Sequence, residues 1–178
     1  MKIIFLGFLV LVSISVFYLD DNILSYAEEK GIVIKDEMFI IDEYASGFHL
    51  PVMIDFIGDH VLVAEKNGNV RIIKDGVLVT EPVLQLEVST TMEEGLVGIL
   101  VKNNDVFIHH TTHDLKDGST SNWFTKYQYD GIILHEPVEL LSFHNGMGWH
   151  NSGIMIEDKN GIVYGAIGDS GNEAGLFQ

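Results

Sequence analysis

Short apolar segments alternate with compact turns from residue 30 onward, and this alternation limits the fold. The segments are rich in β-branched and aromatic residues, which favour extended backbone. Most turns contain Gly, Asn or Asp, as in Asp75-Gly76, which tolerate positive φ. We find no amphipathic helix and predict an all-β protein. The predicted strands are Ile32–Ile41, Val52–Ile57, Val61–Glu65, Val70–Lys74, Val83–Val88, Val97–Val101 and Val106–His110.

A weak internal repeat indicates how these strands are organised. The segment Val61-Leu62-Val63-Ala64 is similar to segments that begin 45 positions later at Val106 and a further 56 positions later at Ile162. A period of roughly 40 to 50 residues is typical of one β-propeller blade. The alternative is a β-sandwich whose strands share composition, which spacing alone does not exclude. We favour a propeller of which this chain supplies about three blades, one fewer than a closed ring needs. The chain is therefore expected to be an incomplete part of a longer protein.

The N-terminal segment predicts export. Lys2 precedes the apolar run Ile3–Leu19, which ends at Asp20-Asp21-Asn22, as in a signal sequence. Small residues in Ser25-Tyr26-Ala27 predict cleavage after Ala27, although a run of 17 apolar residues also leaves an uncleaved membrane anchor open. We predict a signal peptide or anchor at 1–27, a linker and first strand at 28–46, and a propeller domain at 47–178. The expected location is periplasmic or extracellular.

Charge and cysteine content exclude several classes of function. The chain has 26 acidic and 10 basic residues, a formal net charge of −16, so a phosphate backbone would be repelled. Nucleic acid is therefore excluded as a partner. The absence of cysteine excludes disulfide scaffolds, Cys-ligated zinc and thiol catalysis.

A histidine and an acid near the C-terminus are predicted to meet. His150 and Asp169 lie nineteen positions apart, and the turn signal Asp158-Lys159-Asn160-Gly161 lies between them. Two antiparallel strands joined at this turn would bring both ends together. A carboxylate beside an imidazole fixes its tautomer and raises its basicity, as a general base for a hydroxyl proton requires. We predict His150 as that base, supported by Asp169; His144 is a competing candidate.

Four ordered motifs resemble the pyrroloquinoline-quinone-dependent sugar dehydrogenases of the soluble glucose and aldose type. The resemblance covers about Gly47 to the C-terminus, the first half of a six-bladed propeller in that family. The motifs are Ala64-Glu65-Lys66-Asn67-Gly68-Asn69-Val70-Arg71, Glu93-Glu94-Gly95-Leu96-Val97-Gly98-Ile99, His150-Asn151-Ser152-Gly153 and Gly168-Asp169-Ser170-Gly171.

The resemblance implies oxidation of an aldose sugar to its lactone, with an external electron acceptor. In that family a histidine at the position of His150 takes the hydroxyl proton, an acid at the position of Asp169 supports it, and hydride passes to the quinone. The resemblance also implies pyrroloquinoline quinone and calcium as cofactors. Glu93 and Trp149 are candidate cofactor-binding residues, Trp149 because its indole could face a planar ring. Most residues that hold the quinone and calcium would lie beyond this chain, so the 178 residues alone are expected to be inactive.

Departures from the family pattern and simpler interpretations leave two other functions open. Many members have an arginine where this chain has Ile154, and some have an acid where it has Trp149, so cofactor contacts are expected to differ. A secreted, non-catalytic β-propeller binding module is one alternative, since the fold hosts many functions. A lactonase-type hydrolase with a central metal is the other.

His109, His110 and His113 are not predicted to bind metal. His109 and His110 are adjacent on a predicted strand, so their side chains point to opposite faces and cannot reach one ion. His113 begins the polar stretch His113–Asn122, which we predict to be a surface loop.

Overall fold

The computed structural model describes residues 3–5, 9–13, 40–114, 116–146 and 148–169. The chain divides into two compact units, Met1–Phe48 and His49–Gln178. The described part of the chain contains strands and no helix. No helix in these residues has the length and apolar character needed to cross a bilayer.

The first unit contains three antiparallel strands. These are β1 (Ile3–Phe5), β2 (Leu9–Ser13) and β3 (Ile40–Ala45), in the order β1-β2-β3. The predicted strand Ile32–Ile41 shares only its last two residues with β3, and its earlier part lies outside the described residues. The predicted cleavage site after Ala27 also lies outside them.

The second unit begins with an antiparallel sheet that we call the first sheet. Its strands are β4 (Pro51–Ile57), β5 (His60–Glu65), β6 (Asn69–Lys74), β7 (Val77–Leu78) and β8 (Leu84–Gln85). They follow the order β4-β5-β6-β7, and β8 also pairs with β6. The turns contain the expected left-handed residues, such as Asp75 at φ 51° and Gly76 at φ 77°. The predicted strand Val83–Val88 is too long, since β8 comprises only two residues.

The second sheet has four antiparallel strands. They are β9 (Leu96–Lys102), β10 (Asp105–His113), β11 (Thr120–Tyr129) and β12 (Leu134–Asn145), in the order β12-β11-β10-β9. The predicted surface loop His113–Asn122 is wrong at its C-terminal end, because β11 already begins at Thr120 and pairs there with His113.

A hairpin completes the second unit. Strands β13 (Met155–Glu157) and β14 (Val163–Gly165) pair antiparallel around the predicted turn, where Gly161 N donates to Asp158 O at 3.0 Å. Each copy of the sequence repeat lies in the second strand of its sheet, namely β5, β10 and β14. The predicted all-β architecture is confirmed: two sheets and a hairpin follow one another like propeller blades.

The main core lies between the two sheets. Leu62 and Ile72 of the first sheet pack with Val106 and Ile108 of the second, all fully buried. The sheets are also joined by backbone hydrogen bonds, such as Leu96 N to Lys66 O at 3.1 Å. The hairpin packs less closely, since an apolar cavity of about 220 Å³ lies beside it. Its lining includes Phe107, Phe124, Leu140, Leu141, Met155, Val163 and Ile167.

Candidate functional site

The hairpin brings His150 and Asp169 together. His150 lies in the segment between β12 and β13, and Asp169 follows β14. Their side chains meet with His150 Nδ1 and Asp169 Oδ1 2.7 Å apart. Both side chains are open to solvent, at 63% and 55% exposure. The predicted contact is therefore confirmed, while the catalytic role of the two residues stays a prediction.

The backbone around this pair is specialised for close approach. His150 adopts φ 57°, a left-handed conformation that costs a non-glycine residue energy. A Cβ atom at Gly168 would collide with the carbonyl oxygen of His150. Glycine at 168 therefore allows the segment leading to Asp169 to lie directly against the histidine backbone.

Glu93 also anchors the histidine segment. Its Oε2 accepts a hydrogen bond from His150 N at 2.5 Å, and its own backbone N donates to Gly148 O at 3.1 Å. The hydrogen bond to Asp169 raises the pKa of His150 above its ordinary value, and the charges of Asp169 and Glu93 act in the same direction. The imidazole consequently retains its proton to a higher pH than an isolated histidine.

A buried glutamate lies beneath the segment. Glu94 is only 3% exposed, and its carboxylate accepts hydrogen bonds from Ser89, Thr120 and Asn145. Sequence reasoning did not assign Glu94 a role, because a glutamate beside Glu93 gives no sign that it is buried. Its partners Thr120 and Asn145 lie on strands that the sequence patterns did not predict, so no local signal was available.

Two glycines form a close junction between β9 and the histidine segment. A Cβ atom on Gly98 would collide with Gly153 O, and one on Gly153 would collide with Val97 O. This contact involves backbone on both sides, so neither position can accept a side chain without displacement. The family-like motifs around residues 98 and 153 therefore meet in space.

His109 and His110 are buried behind this junction. His109 is fully buried and stacks on Phe124, with ring centroids 4.4 Å apart. Burial lowers the pKa of each histidine to about 4, and for His109 the charge of His110 adds to the effect. The Ser152 backbone favours protonation of His109, but neither ring nitrogen forms a hydrogen bond of normal geometry.

The other predicted residues occupy different environments. Trp149 is 42% exposed beside His150, and nothing in the structure tests its predicted cofactor contact. His144 lies on β12 opposite Ser121, and its charge acts on Asp117. Within the described residues, no group of three or more His, Asp or Glu side chains is arranged to hold a metal ion.

Comparison with known proteins identifies the family. The family model for glucose/sorbosone dehydrogenases matches residues 48–176. The chain belongs to the glucose/sorbosone dehydrogenase family. No curated protein matches the chain.

A solved structure supports the fold of this family member. The chain is similar to an oxidoreductase, provisionally assigned as a glucose dehydrogenase, from Thermus thermophilus, with a TM-score of 0.55 and 22% identity. The match covers 68% of this chain and 38% of that one. At this identity the likeness shows the fold alone. The chain spans well under half of the solved protein.

The described site does not by itself fit the cofactors that the family resemblance implies. Pyrroloquinoline quinone is a polyanion, yet the charged neighbours that act on His150 are the carboxylates of Asp169 and Glu93. Calcium prefers several oxygen ligands, and the described residues offer no cluster of three acidic or histidine side chains. The described residues therefore bring a histidine and a carboxylate into contact but do not account for binding of either cofactor.

Proposed function

We propose that this chain supplies the proton acceptor for quinone-dependent oxidation of an aldose sugar to its lactone. The contact between His150 Nδ1 and Asp169 Oδ1 carries this proposal. When Nδ1–H donates to the carboxylate, the neutral imidazole presents its lone pair at Nε2. His150 would take the sugar hydroxyl proton at Nε2, and Asp169 would stabilise the imidazolium that results.

The redox part of the reaction needs a partner outside the described residues. Oxidation of the anomeric C–H bond releases a hydride equivalent, and accepting it is the chemistry that a quinone held by other parts of the propeller would supply. We propose no cofactor-binding geometry, and Glu93 and Trp149 remain candidate contacts. Because the family resemblance assigns most quinone and calcium contacts to other parts of the propeller, we expect the 178 residues alone not to oxidise sugars.

The test is replacement of the proposed base in the intact protein, supplied with quinone and calcium. His150→Gln should reduce dye-linked aldose oxidation by about 10²- to 10⁴-fold, the usual contribution of a general base. His144→Gln is the matched control, since His144 is an exposed histidine on β12 and the competing candidate for the base, and it should retain activity.

Other outcomes identify other functions. Unchanged turnover in His150→Gln would show that His150 is not the general base. Metal-dependent lactone hydrolysis without quinone would favour a hydrolase, and sugar binding without turnover would favour a binding module. Sugar oxidation by the purified 178 residues would contradict the expected inactivity of this part alone.

Export also belongs to the proposal. The apolar run Ile3–Leu19 and the small residues before Glu28 support removal of a signal peptide, with membrane anchoring as the alternative. Sequencing the N-terminus of the protein recovered from the producing cell should find Glu28 first. An intact N-terminus in the membrane fraction would instead indicate an anchor.

A further inference from the structure

Glu94 is a buried carboxylate held by neutral groups. Its Oε1 accepts from Thr120 Oγ1 at 2.9 Å and from Asn145 Nδ2 at 2.7 Å, and its Oε2 accepts from Ser89 Oγ. Among the described residues Glu94 forms no salt bridge. An ion removed from water is costly, and these hydrogen bonds offset that cost. Glu94 is therefore held in place by hydrogen bonds from neutral donors.

The donors come from three separate parts of the second unit. Ser89 precedes the turn that carries Glu93, Thr120 begins β11, and Asn145 ends β12. The carboxylate therefore ties the ends of β11 and β12 together at the point where the chain leaves β12 for His150. Sequence separations of 26 and 51 residues show that these are tertiary contacts.

The segment carrying His150 rests on this carboxylate. A Cβ atom at Gly148 would lie only 3.1 Å from Glu94 Oε1, so the glycine backbone is packed against it. The carbonyl oxygen of Gly148 is fixed from two sides, by Glu93 N at 3.1 Å and by Asn151 Nδ2 at 3.0 Å. Gly148 is thus held between Glu94 below and two donors beside it.

A second buried chain of hydrogen bonds supports the same segment. Thr111 Oγ1 donates to Asn122 Oδ1 at 2.7 Å, and Asn122 Nδ2 donates to Asn151 Oδ1 at 3.0 Å. Asn151 directly follows His150, so β10 and β11 position the residue after the imidazole. The Glu94 cluster positions the residues before it.

We propose that Glu94 is a positioning residue, whose buried carboxylate holds the backbone from Gly148 to His150 so that the imidazole meets Asp169. An effect of Glu94 on catalysis rests on the proposed function, whereas its effect on the position of His150 does not. The charges that act on the His150 ring are those of Asp169 and Glu93. A change at residue 94 should therefore reach the ring through the position of the backbone.

The test is the titration of His150 by NMR in the full chain. In Glu94→Ala, the pKa of His150 should move back toward its ordinary value of 6.5, because the contact with Asp169 is less often formed. Glu94→Gln keeps the shape of the side chain and should show a smaller shift in the same direction. Glu87→Gln removes one charge from an exposed position and should leave the titration unchanged.

Two further measurements keep the proposal falsifiable. If Glu94→Ala does not fold, Thr120→Val is the variant to titrate, since it preserves side-chain volume and removes one hydrogen-bond donor to Glu94. An unchanged His150 titration in Thr120→Val overturns the proposal. An unchanged titration in a folded Glu94→Ala variant overturns it as well. In the intact protein with quinone, Glu94→Ala should lower kcat more than it raises KM. If the wild-type protein oxidises no sugar, the proposed function fails, while the titration still decides the role of Glu94.

Discussion

The first and second sheets place opposite side-chain sizes at equivalent positions. In the first sheet Met53 pairs with Ala64, and 45 residues later in the second sheet Gly98 pairs with His109. Met53 packs against the core between the sheets. Gly98 instead leaves space for the backbone of Gly153. The same position in a repeated strand pair can therefore carry a side chain that fills the core, or a glycine that leaves room for the segment that carries His150.

The next position along each strand shows a second contrast. Glu65 ends β5, fully buried, with Arg71 Nη1 at 3.7 Å and hydrogen bonds from His49 N and Asn69 Nδ2. His110 occupies the equivalent place in β10, and its buried Nδ1 has no hydrogen-bond partner among the described residues. The carboxylate of Glu65 therefore has several partners in the first sheet, whereas the buried His109 and His110 of the second sheet are neutral at pH 7 because burial lowers their pKa values to about 4.

The largest expected loss of stability follows from breaking the ion pair between Glu65 and Arg71 in the first sheet. Glu65→Ala leaves the Arg71 guanidinium, which is mostly buried, without its carboxylate. Breaking a buried pair by removing one partner costs about 3 to 5 kcal/mol. Urea denaturation at pH 7 should show this loss, while the NMR titration of His150 should not change. A loss no greater than that of Glu81→Ala, an exposed glutamate, would contradict the comparison.

The glycine of the second sheet should be the next most sensitive position. In Gly98→Ala, the new methyl group collides with the carbonyl oxygen of Gly153. Overpacking of this kind costs about 1 to 3 kcal/mol. We expect urea denaturation to show this loss and NMR to show a displaced His150. Met53→Ala is the matched change in the first sheet; it should reduce stability and leave His150 signals in place. Equal displacement of His150 in both variants would remove the proposed difference between the sheets.

The buried histidines predict acid sensitivity. Their pKa values of about 4 lie below the ordinary 6.5, so the unfolded chain binds protons first as pH falls. Stability from each neutral imidazole is complete above pH 6.5 and decreases as pH falls toward 4. By linkage, each histidine should cost roughly 2 kcal/mol at pH 5.

A variant separates this effect from other titrations. His109→Phe should retain stacking on Phe124 and lose its share of the decrease between pH 7 and pH 5 in urea denaturation. His113→Phe, on an exposed residue of the same strand, serves as the control. An identical decrease in wild type and His109→Phe would show that His109 is not the source.

Local patterns predicted much of the fold, and the errors have physical causes. Strands β4, β5, β6, β9 and β10 were found because apolar runs lie between explicit turn residues. Strands β11 and β12 were not predicted. The polar start of β11 at Thr120 resembles a loop, and Pro137 argues against a central strand; β12 tolerates it as an edge strand.

The same distinction applies to the candidate site. Hairpin geometry alone predicted that His150 and Asp169 meet, because both flank a single turn. The burial of Glu94 was not predictable in this way. Its partners Thr120 and Asn145 come from strands that become neighbours only after the second sheet forms. Local sequence therefore predicted the exposed pair, but not the buried support beneath it.

The smallest expected effect on stability is at Asp169, because its contact with His150 is exposed. The pKa of His150 is raised in the folded protein. The contact therefore stabilises the fold below pH 6.5, and this stabilisation is lost as pH rises through the folded pKa of His150. Asp169→Asn should return that pKa toward 6.5 in an NMR titration while leaving the Gly98 junction intact. In the intact protein, sugar oxidation should rise with pH as His150 loses its proton, and the variant should shift this midpoint downward with lower maximal turnover. An unshifted midpoint would mean that a group other than His150 limits proton transfer. Positioning of a catalytic base would then not explain the close junction between Gly98 and Gly153.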